Sequence, residues 1–139
     1  MLQRLQSIWL LFAAALNATT FRFPFYTGDW QRDTLPNYII DLNAGTTLWF
    51  TILTILSAVL ALITIFLYRN RRLQLRLTYV GIFLTVALLT LYVLEIRFFN
   101  AGTVALWAIF YVAILVCFIL AARGILKDEK LIRSMDRLR

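Results

Sequence analysis

The side chains that could do chemistry in this sequence are mostly basic, and several cluster in one short polar segment. Residues 68–76 contain four arginines, which are Arg69, Arg71, Arg72 and Arg76. Arginine presents a planar fork of N–H donors that matches a phosphate group, and basic clusters beside a membrane attract anionic headgroups by roughly 1 kcal/mol per residue. The cluster therefore predicts binding of anionic lipid headgroups or of a protein partner, although membrane topology alone also produces such clusters.

The residues that carry most enzymatic chemistry are missing from the sequence. It contains no histidine and a single cysteine, Cys117, inside an apolar run. It therefore has no recognisable zinc or haem ligand set, no Ser-His or Cys-His nucleophile and no internal disulfide. The acids Asp29, Asp33 and Asp41 are too scattered to match the ligand spacing of a metal site. We expect no enzymatic activity, no catalytic residue, no metal and no cofactor.

The polar segments are separated by runs of residues suited to a membrane. Hydrophobic residues make up 62% of the 139 positions and charged residues 15%, whereas soluble domains average roughly 45–50% apolar and about 25% charged. A helix needs about 20 residues to cross a bilayer. Uncharged runs of this kind predict four spans, at about 5–21, 44–67, 77–94 and 98–122, with an outer loop at 22–43 and a tail at 123–139.

The first of these runs is the least apolar, and a cleavable signal peptide is its alternative interpretation. The N-terminus, the segment 68–76 and the tail carry eleven lysines and arginines, whereas the opposite side carries three, Arg22, Arg32 and Arg97. By the positive-inside rule both termini are cytoplasmic, which requires an even number of spans and favours retention of the first. Topology explains the net charge of +7, so no nucleic acid partner is expected.

Small and hydroxyl-bearing residues recur at helical spacing in three of the spans. Lipid is as apolar as the helices, so helix contacts in membranes depend on close approach and on hydrogen bonds between such residues. We expect the helices to meet along stripes formed by Thr47, Thr51, Thr54, Ala58 and Ala61 in the second span, Thr78, Gly81 and Thr85 in the third, and Ala101, Ala105 and Ala108 in the fourth. A hydroxyl-lined path for a small solute and a face for another subunit are the alternatives for these stripes.

The tail has the pattern of an amphipathic helix, with Ile125, Leu131 and Ile132 among the apolar residues on one side. This helix continues the fourth span or bends from it at Gly124, and it lies on lipid, packs under the helices or binds a partner. The basic residues expected to make contacts there are Lys127, Lys130, Arg133 and Arg137. The sequence as a whole predicts one all-α integral membrane domain over 1–139, an antiparallel four-helix transmembrane bundle with a cytoplasmic amphipathic C-terminal helix.

The outer loop carries signals of extended structure. Phe21, Phe23 and Phe25 alternate, and the segment 26–30 that follows contains a glycine-aspartate turn signal between aromatic residues. This pattern predicts a short hairpin or an aromatic cap on the outer membrane face, with Pro24 restricting any strand to an edge of a sheet.

Three polar segments of the sequence resemble one family. They are MLQRLQS at 1–7, YRNRRLQ at 68–74 and KDEKLIRSMDRLR at 127–139, and the last is the most specific. The sequence is similar over its full length to small four-span inner-membrane proteins of the Bacteroidetes, which form a domain of unknown function. The resemblance implies a bacterial inner-membrane location and four spans, and it supplies no activity, substrate or catalytic residue.

These observations lead to an expectation about function. We expect a non-enzymatic inner-membrane protein that serves as an accessory or structural subunit of a larger membrane assembly. Its basic turn and tail would contact a protein partner or anionic headgroups on the cytoplasmic side. The alternative is a small oligomeric transporter or a lipid-binding membrane protein.

Overall fold

The structure is a computed structural model that describes residues 2–30, 39–67 and 70–136, with side chains described over 6–29, 39–67 and 70–131. Within these ranges the chain forms four helices and three short strands. The helices are α1 (Leu2–Thr19), α2 (Leu48–Phe66), α3 (Arg71–Glu95) and α4 (Ala108–Asp136), and the strands are β1 (Tyr26–Trp30), β2 (Ile39–Leu42) and β3 (Phe99–Val104). One 3-10 turn, Ile96–Phe98, joins α3 to β3.

The helices pack in a ring, in which α1 and α3 each contact both α2 and α4. At one end of α1, Gln6 hydrogen-bonds to Asp128, and at its other end Thr20 accepts a hydrogen bond from Tyr111. The helices α1 and α4 therefore run antiparallel. The centre of the ring is apolar and is formed by Leu10, Ala13, Ala14, Ala61, Ile114, Cys117, Phe118 and Ala121.

The surface of the helices is more apolar than parts of their interior. Trp49, Phe66 and Phe83 are each more than 70% exposed, whereas Thr54, Thr64 and Thr78 are at most 2% exposed. A soluble protein would bury the large apolar side chains instead. This arrangement is suited to helices that are surrounded by lipid.

Three segments are long and apolar enough to cross a membrane, namely Leu48–Phe66, Arg71–Phe98 and Ala108–Leu131. They indicate a membrane protein and overlap the second, third and fourth predicted spans, although the third is longer at both ends and the fourth lies about ten residues later than predicted. The first predicted span forms α1, which is not among these three segments and buries two amide side chains, those of Gln6 and Asn17.

Segments between the helices form a three-stranded sheet with the order β2-β1-β3, so the all-α prediction was incomplete. The strands β1 and β2 are antiparallel and Tyr26 lies opposite Leu42, so the predicted extended structure is present, but the glycine-aspartate pair interpreted as a turn signal lies within β1. The strand β3 was assigned to the fourth span, because a short apolar run has the same pattern in a strand as in a buried helix. Helix α4 begins at Ala108 rather than at Phe98, and Ala101 and Ala105 precede it.

The sheet depends on a close approach between β1 and β3. Gly28 and Gly102 lie directly opposite each other in these antiparallel strands. A Cβ atom on Gly102 would lie 2.6 Å from the Thr27 carbonyl oxygen, and one on Gly28 would collide with the backbone of Ala101. Glycine is therefore needed on both strands. The strand β1 begins at Tyr26, after Pro24, and is the central strand of the sheet. The expectation that Pro24 would restrict a strand here to an edge was therefore wrong.

Candidate functional site

The described basic residues of the predicted binding cluster lie at one end of the helices, which we call the basic end and define by Arg71, Arg72, Arg76, Lys127 and Lys130. Helices α3 and α4 are antiparallel, because Gly81 faces Phe118 and Tyr92 contacts Tyr111. This pairing brings the first turns of α3 level with the last described turns of α4. The sequence clusters at 68–76 and in the tail thus belong to one surface.

Most cations of the basic end face outward. Arg72, Arg76, Lys127 and Lys130 are exposed. Arg71 is half-buried, and its Nη1 atom has no hydrogen-bond partner among the described residues. Arg69 and Arg137 lie outside the described residues, and Arg133 belongs to α4 in a part of the helix whose side chains are not described.

An acidic residue of the tail faces the opposite way. Asp128 is 8% exposed, and its Oδ2 atom accepts a 2.6 Å hydrogen bond from Nε2 of Gln6 on α1, which is 4% exposed. Gly124, one turn earlier on α4, makes room for this contact, since a Cβ there would lie 2.7 Å from Cγ of Gln6. Helix α4 continues through Gly124 without the bend that the sequence left open.

The burial of Asp128 changes the charge of the surface. With this carboxyl turned into the helix interface, the exposed side of the α4 end presents Lys127 and Lys130, while Glu129 is half-buried. Asp128 was not among the residues predicted from the sequence to have a structural role. Its burial could have been predicted from helical spacing, because Asp128 follows Ile125 by three residues and so lies on the apolar side of the tail helix.

The predicted packing stripes lie partly in the interior. On α2 the buried positions are Phe50, Thr54, Ser57, Ala61 and Thr64, so Thr54 and Ala61 are buried while Thr51 and Ala58 are only half-buried. On α3 both Gly81 and Thr85 are buried. Thr47 precedes α2, and its carbonyl accepts a hydrogen bond from Thr51. Ala105 lies between β3 and α4, where its N–H donates to the Phe25 carbonyl, and Ala108 is the first residue of α4.

Gly81 has the tightest packing role on α3. A Cβ atom at this position would overlap the ring of Phe118, so the glycine lets α3 and α4 approach closely. This is the small-residue contact that the sequence predicted for the third span.

A small polar cavity lies within the helices, near the sheet. Its volume is about 10 Å³, and Asn17, Thr54, Thr85, Tyr92 and Tyr111 are among its lining residues. Such a volume is close to the minimum that holds one water molecule. The single hydroxyl proton of Tyr111 is shared between two carbonyls, whereas the Tyr92 hydroxyl has no partner among the described residues.

Stacked aromatic rings fix this part of the core. The rings of Phe50 and Tyr92 are parallel within 2° at a centroid distance of 4.4 Å, and Phe25 stacks on the Tyr92 ring at 5.1 Å. Trp107, directly before α4, contacts Phe23 at a ring-centroid distance of 4.4 Å. The aromatic residues therefore connect the sheet to the helices.

No charged pair or nucleophile lines the cavity. Among the described residues, no three acidic, cysteine or histidine side chains come together into a group that could hold a metal ion. The basic end, by contrast, presents exposed positive charge, which is suited to electrostatic attraction of anionic groups.

Comparison with known proteins relates the chain to a family. A family model described as Domain of unknown function (DUF4293) matches residues 2–138. The predicted resemblance to a domain of unknown function is thereby confirmed over nearly the whole chain. No curated protein and no solved structure matches the sequence.

Proposed function

The chain belongs to the DUF4293 family, whose function is unknown, and from this premise we propose that it is a non-enzymatic accessory subunit of a larger membrane assembly. It sits in the bacterial inner membrane with both termini in the cytoplasm. Its basic end contacts a protein partner or anionic headgroups. The three apolar helices and the distribution of basic residues support this location and orientation.

The observation that carries the proposal is the opposite placement of acid and base at the end of α4. Asp128 is bound inside the helix interface, while Lys127 and Lys130 on either side of it are exposed. The exposed arginines Arg72 and Arg76 add to the same end. Each basic residue near an anionic surface contributes roughly 1 kcal/mol of attraction. Topology requires basic residues here, but it does not require that a neighbouring carboxyl be sequestered.

The proposal can be tested by reversing charge at the basic end. Membranes that express the protein are extracted in mild detergent, and the native size of the species containing it is measured. We expect wild type to migrate with a larger assembly and the double variant Lys127→Glu/Lys130→Glu to be released from it. The single variant Lys127→Glu is also compared with Arg22→Glu, which makes an equal charge change at an exposed position at the other end of the helices and serves as the control. Migration of wild type as a free monomer would contradict the proposal.

A second candidate function, a lipid-binding membrane protein, is favoured by one further feature. An apolar groove opens between α2 and α3 at the end remote from the basic end.

A further inference from the structure

The groove between α2 and α3 has the size of a ligand site. Its volume is about 780 Å³, within the range of roughly 300–1,000 Å³ that is usual for small-molecule pockets. Trp49 and Leu53 on α2 and Leu91 and Leu94 on α3 form its apolar walls. Trp49 is exposed, so the groove opens to the lipid side of the helices.

The polarity of the groove changes along its length. Thr47, Glu95 and Arg97 line it at the end where α2 begins and α3 finishes, while Leu53 and Leu91 line it farther along the helices. With a rise of about 1.5 Å per residue, Leu53 lies about 9 Å from Thr47 along α2. The groove is therefore polar at headgroup depth and apolar below it, as a lipid molecule is.

One wall of the groove is held in place by the core. Phe50 lines the groove, is 4% exposed and stacks on Tyr92. A wall fixed in this way needs little ordering when a ligand binds, which lowers the entropic cost of binding.

We propose that this groove binds one zwitterionic phospholipid, with its phosphate at Arg97, its amine towards Glu95 and the upper part of an acyl chain against Trp49, Leu53 and Leu91. Arginine pairs with phosphate through parallel hydrogen bonds. Glu95 and Arg97 put charges of both signs at the mouth, and a headgroup that carries both phosphate and amine complements both. A headgroup that is only anionic complements Arg97 alone.

The extent of the groove distinguishes a lipid from a partner helix. On α2 its lining runs from Thr47 to Leu53, which is under two helical turns. A packed helix would require a contact stripe along most of the span. The inference concerns the end opposite the basic end and goes beyond the accessory role proposed above.

The test measures which lipid stays with the purified full-length protein. The protein is reconstituted in nanodiscs of mixed phosphatidylethanolamine and phosphatidylglycerol, transferred to mild detergent, and examined by native mass spectrometry. We expect wild type to retain one phosphatidylethanolamine. Arg97→Gln should lower its occupancy about tenfold through loss of a charge-assisted hydrogen bond. Leu53→Trp, which fills the groove, should lower it similarly.

Two controls match these variants. Arg22→Gln removes an exposed arginine and Ile109→Trp enlarges an exposed apolar side chain on α4, and neither lies among the groove residues. Both should retain the lipid as wild type does. Equal retention of phosphatidylglycerol, unchanged occupancy in Arg97→Gln, or a second copy of the chain in place of lipid would overturn the proposal. Arg97 is exposed, so this variant remains informative even if Leu53→Trp does not fold. None of these variants alters the basic end, so migration with a larger assembly is an independent readout.

Discussion

Nε2 of Gln6 donates a 2.6 Å hydrogen bond to Oδ2 of Asp128, which joins the beginning of α1 to the end of α4 across 122 positions of sequence. Both side chains are buried, so the bond replaces the water that each group would otherwise bind. The contact accounts for the course of α4, whose C-terminal part packs beside α1 over this stretch. At Asp128 the tail helix continues α4 and packs beside α1, rather than under the helices.

Removal of Gln6 is expected to destabilise the protein. In Gln6→Leu the Asp128 carboxyl stays buried without this donor, and an unsatisfied buried group costs about 1–3 kcal/mol, or more when it is charged. Thermal unfolding in detergent, followed by circular dichroism, should show a lower Tm than wild type. Asp128→Asn keeps a carbonyl acceptor and should cost less, and Gln6→Leu/Asp128→Leu should recover part of the loss. An unchanged Tm in Gln6→Leu would show that the bond contributes nothing.

The two core tyrosines should respond differently to loss of their hydroxyls, although their rings contact each other at 4.9 Å. Tyr111 shares its hydroxyl proton between the carbonyls of Thr20 and Phe23, at 3.2 and 3.0 Å, and the Thr20 carbonyl also accepts from the Ala44 N–H. Tyr111→Phe therefore leaves the Phe23 carbonyl without this donor and should cost about 1 kcal/mol. The Tyr92 hydroxyl has no partner among the described residues, so Tyr92→Phe should be neutral or stabilising. Unfolding midpoints compare the two, and a larger loss in Tyr92→Phe would contradict the geometry.

The strand β3 can be tested by a cross-strand disulfide. Thr27 and Thr103 are directly opposite in antiparallel strands, where Cα atoms lie about 4.5–5.5 Å apart, within the range for a disulfide. Thr27→Cys/Thr103→Cys, made with Cys117→Ala, should oxidise spontaneously if the sheet faces an oxidising compartment. Mobility on non-reducing gels reports the bond. Thr27→Cys/Ala101→Cys is out of register by two residues and should stay reduced, so equal oxidation of both pairs would contradict the register.

Orientation can be tested separately by cysteine labelling. Lys127 and Arg22 are both exposed and lie at opposite ends of the helices, while the native Cys117 is buried. A membrane-impermeant maleimide added to intact spheroplasts should label Arg22→Cys only, whereas Lys127→Cys should react only after the membrane is opened. This result follows from the unequal distribution of basic residues. The reverse pattern would overturn the proposed orientation.

The helices could be predicted from the sequence because their signals are long and local. The rotation of each helix was harder to predict. Ala58 was predicted to be buried because it is small, yet its neighbour Ser57 is buried instead. The buried stripe on α2 begins at Phe50 and so lies on a slightly different face of the helix from the predicted one. On α3 the predicted residues Gly81 and Thr85 do belong to the buried stripe, where the Phe118 ring requires a glycine at position 81.

The remaining features depend on contacts between distant parts of the chain. The strand β3 forms because β1 offers an edge for pairing, and nothing in the local pattern of residues 99–104 shows that edge. Similarly, Asp128 is a surface acid in the sequence and a buried one in the fold, because Gln6 lies opposite it. The groove lined by Leu53 and Leu91 depends on the spacing of two helices, which a single sequence does not contain.

The most direct test of the accessory role is site-specific photocrosslinking in native membranes. A photoreactive amino acid is placed at Lys127 on the basic end and, as a control, at Ile109, which is exposed on the apolar surface of α4. Crosslinked products are identified by mass spectrometry. The account predicts a discrete protein partner at Lys127 that is absent from the Ile109 sample. Recovery of only the uncrosslinked chain and lipid adducts from both positions would contradict it.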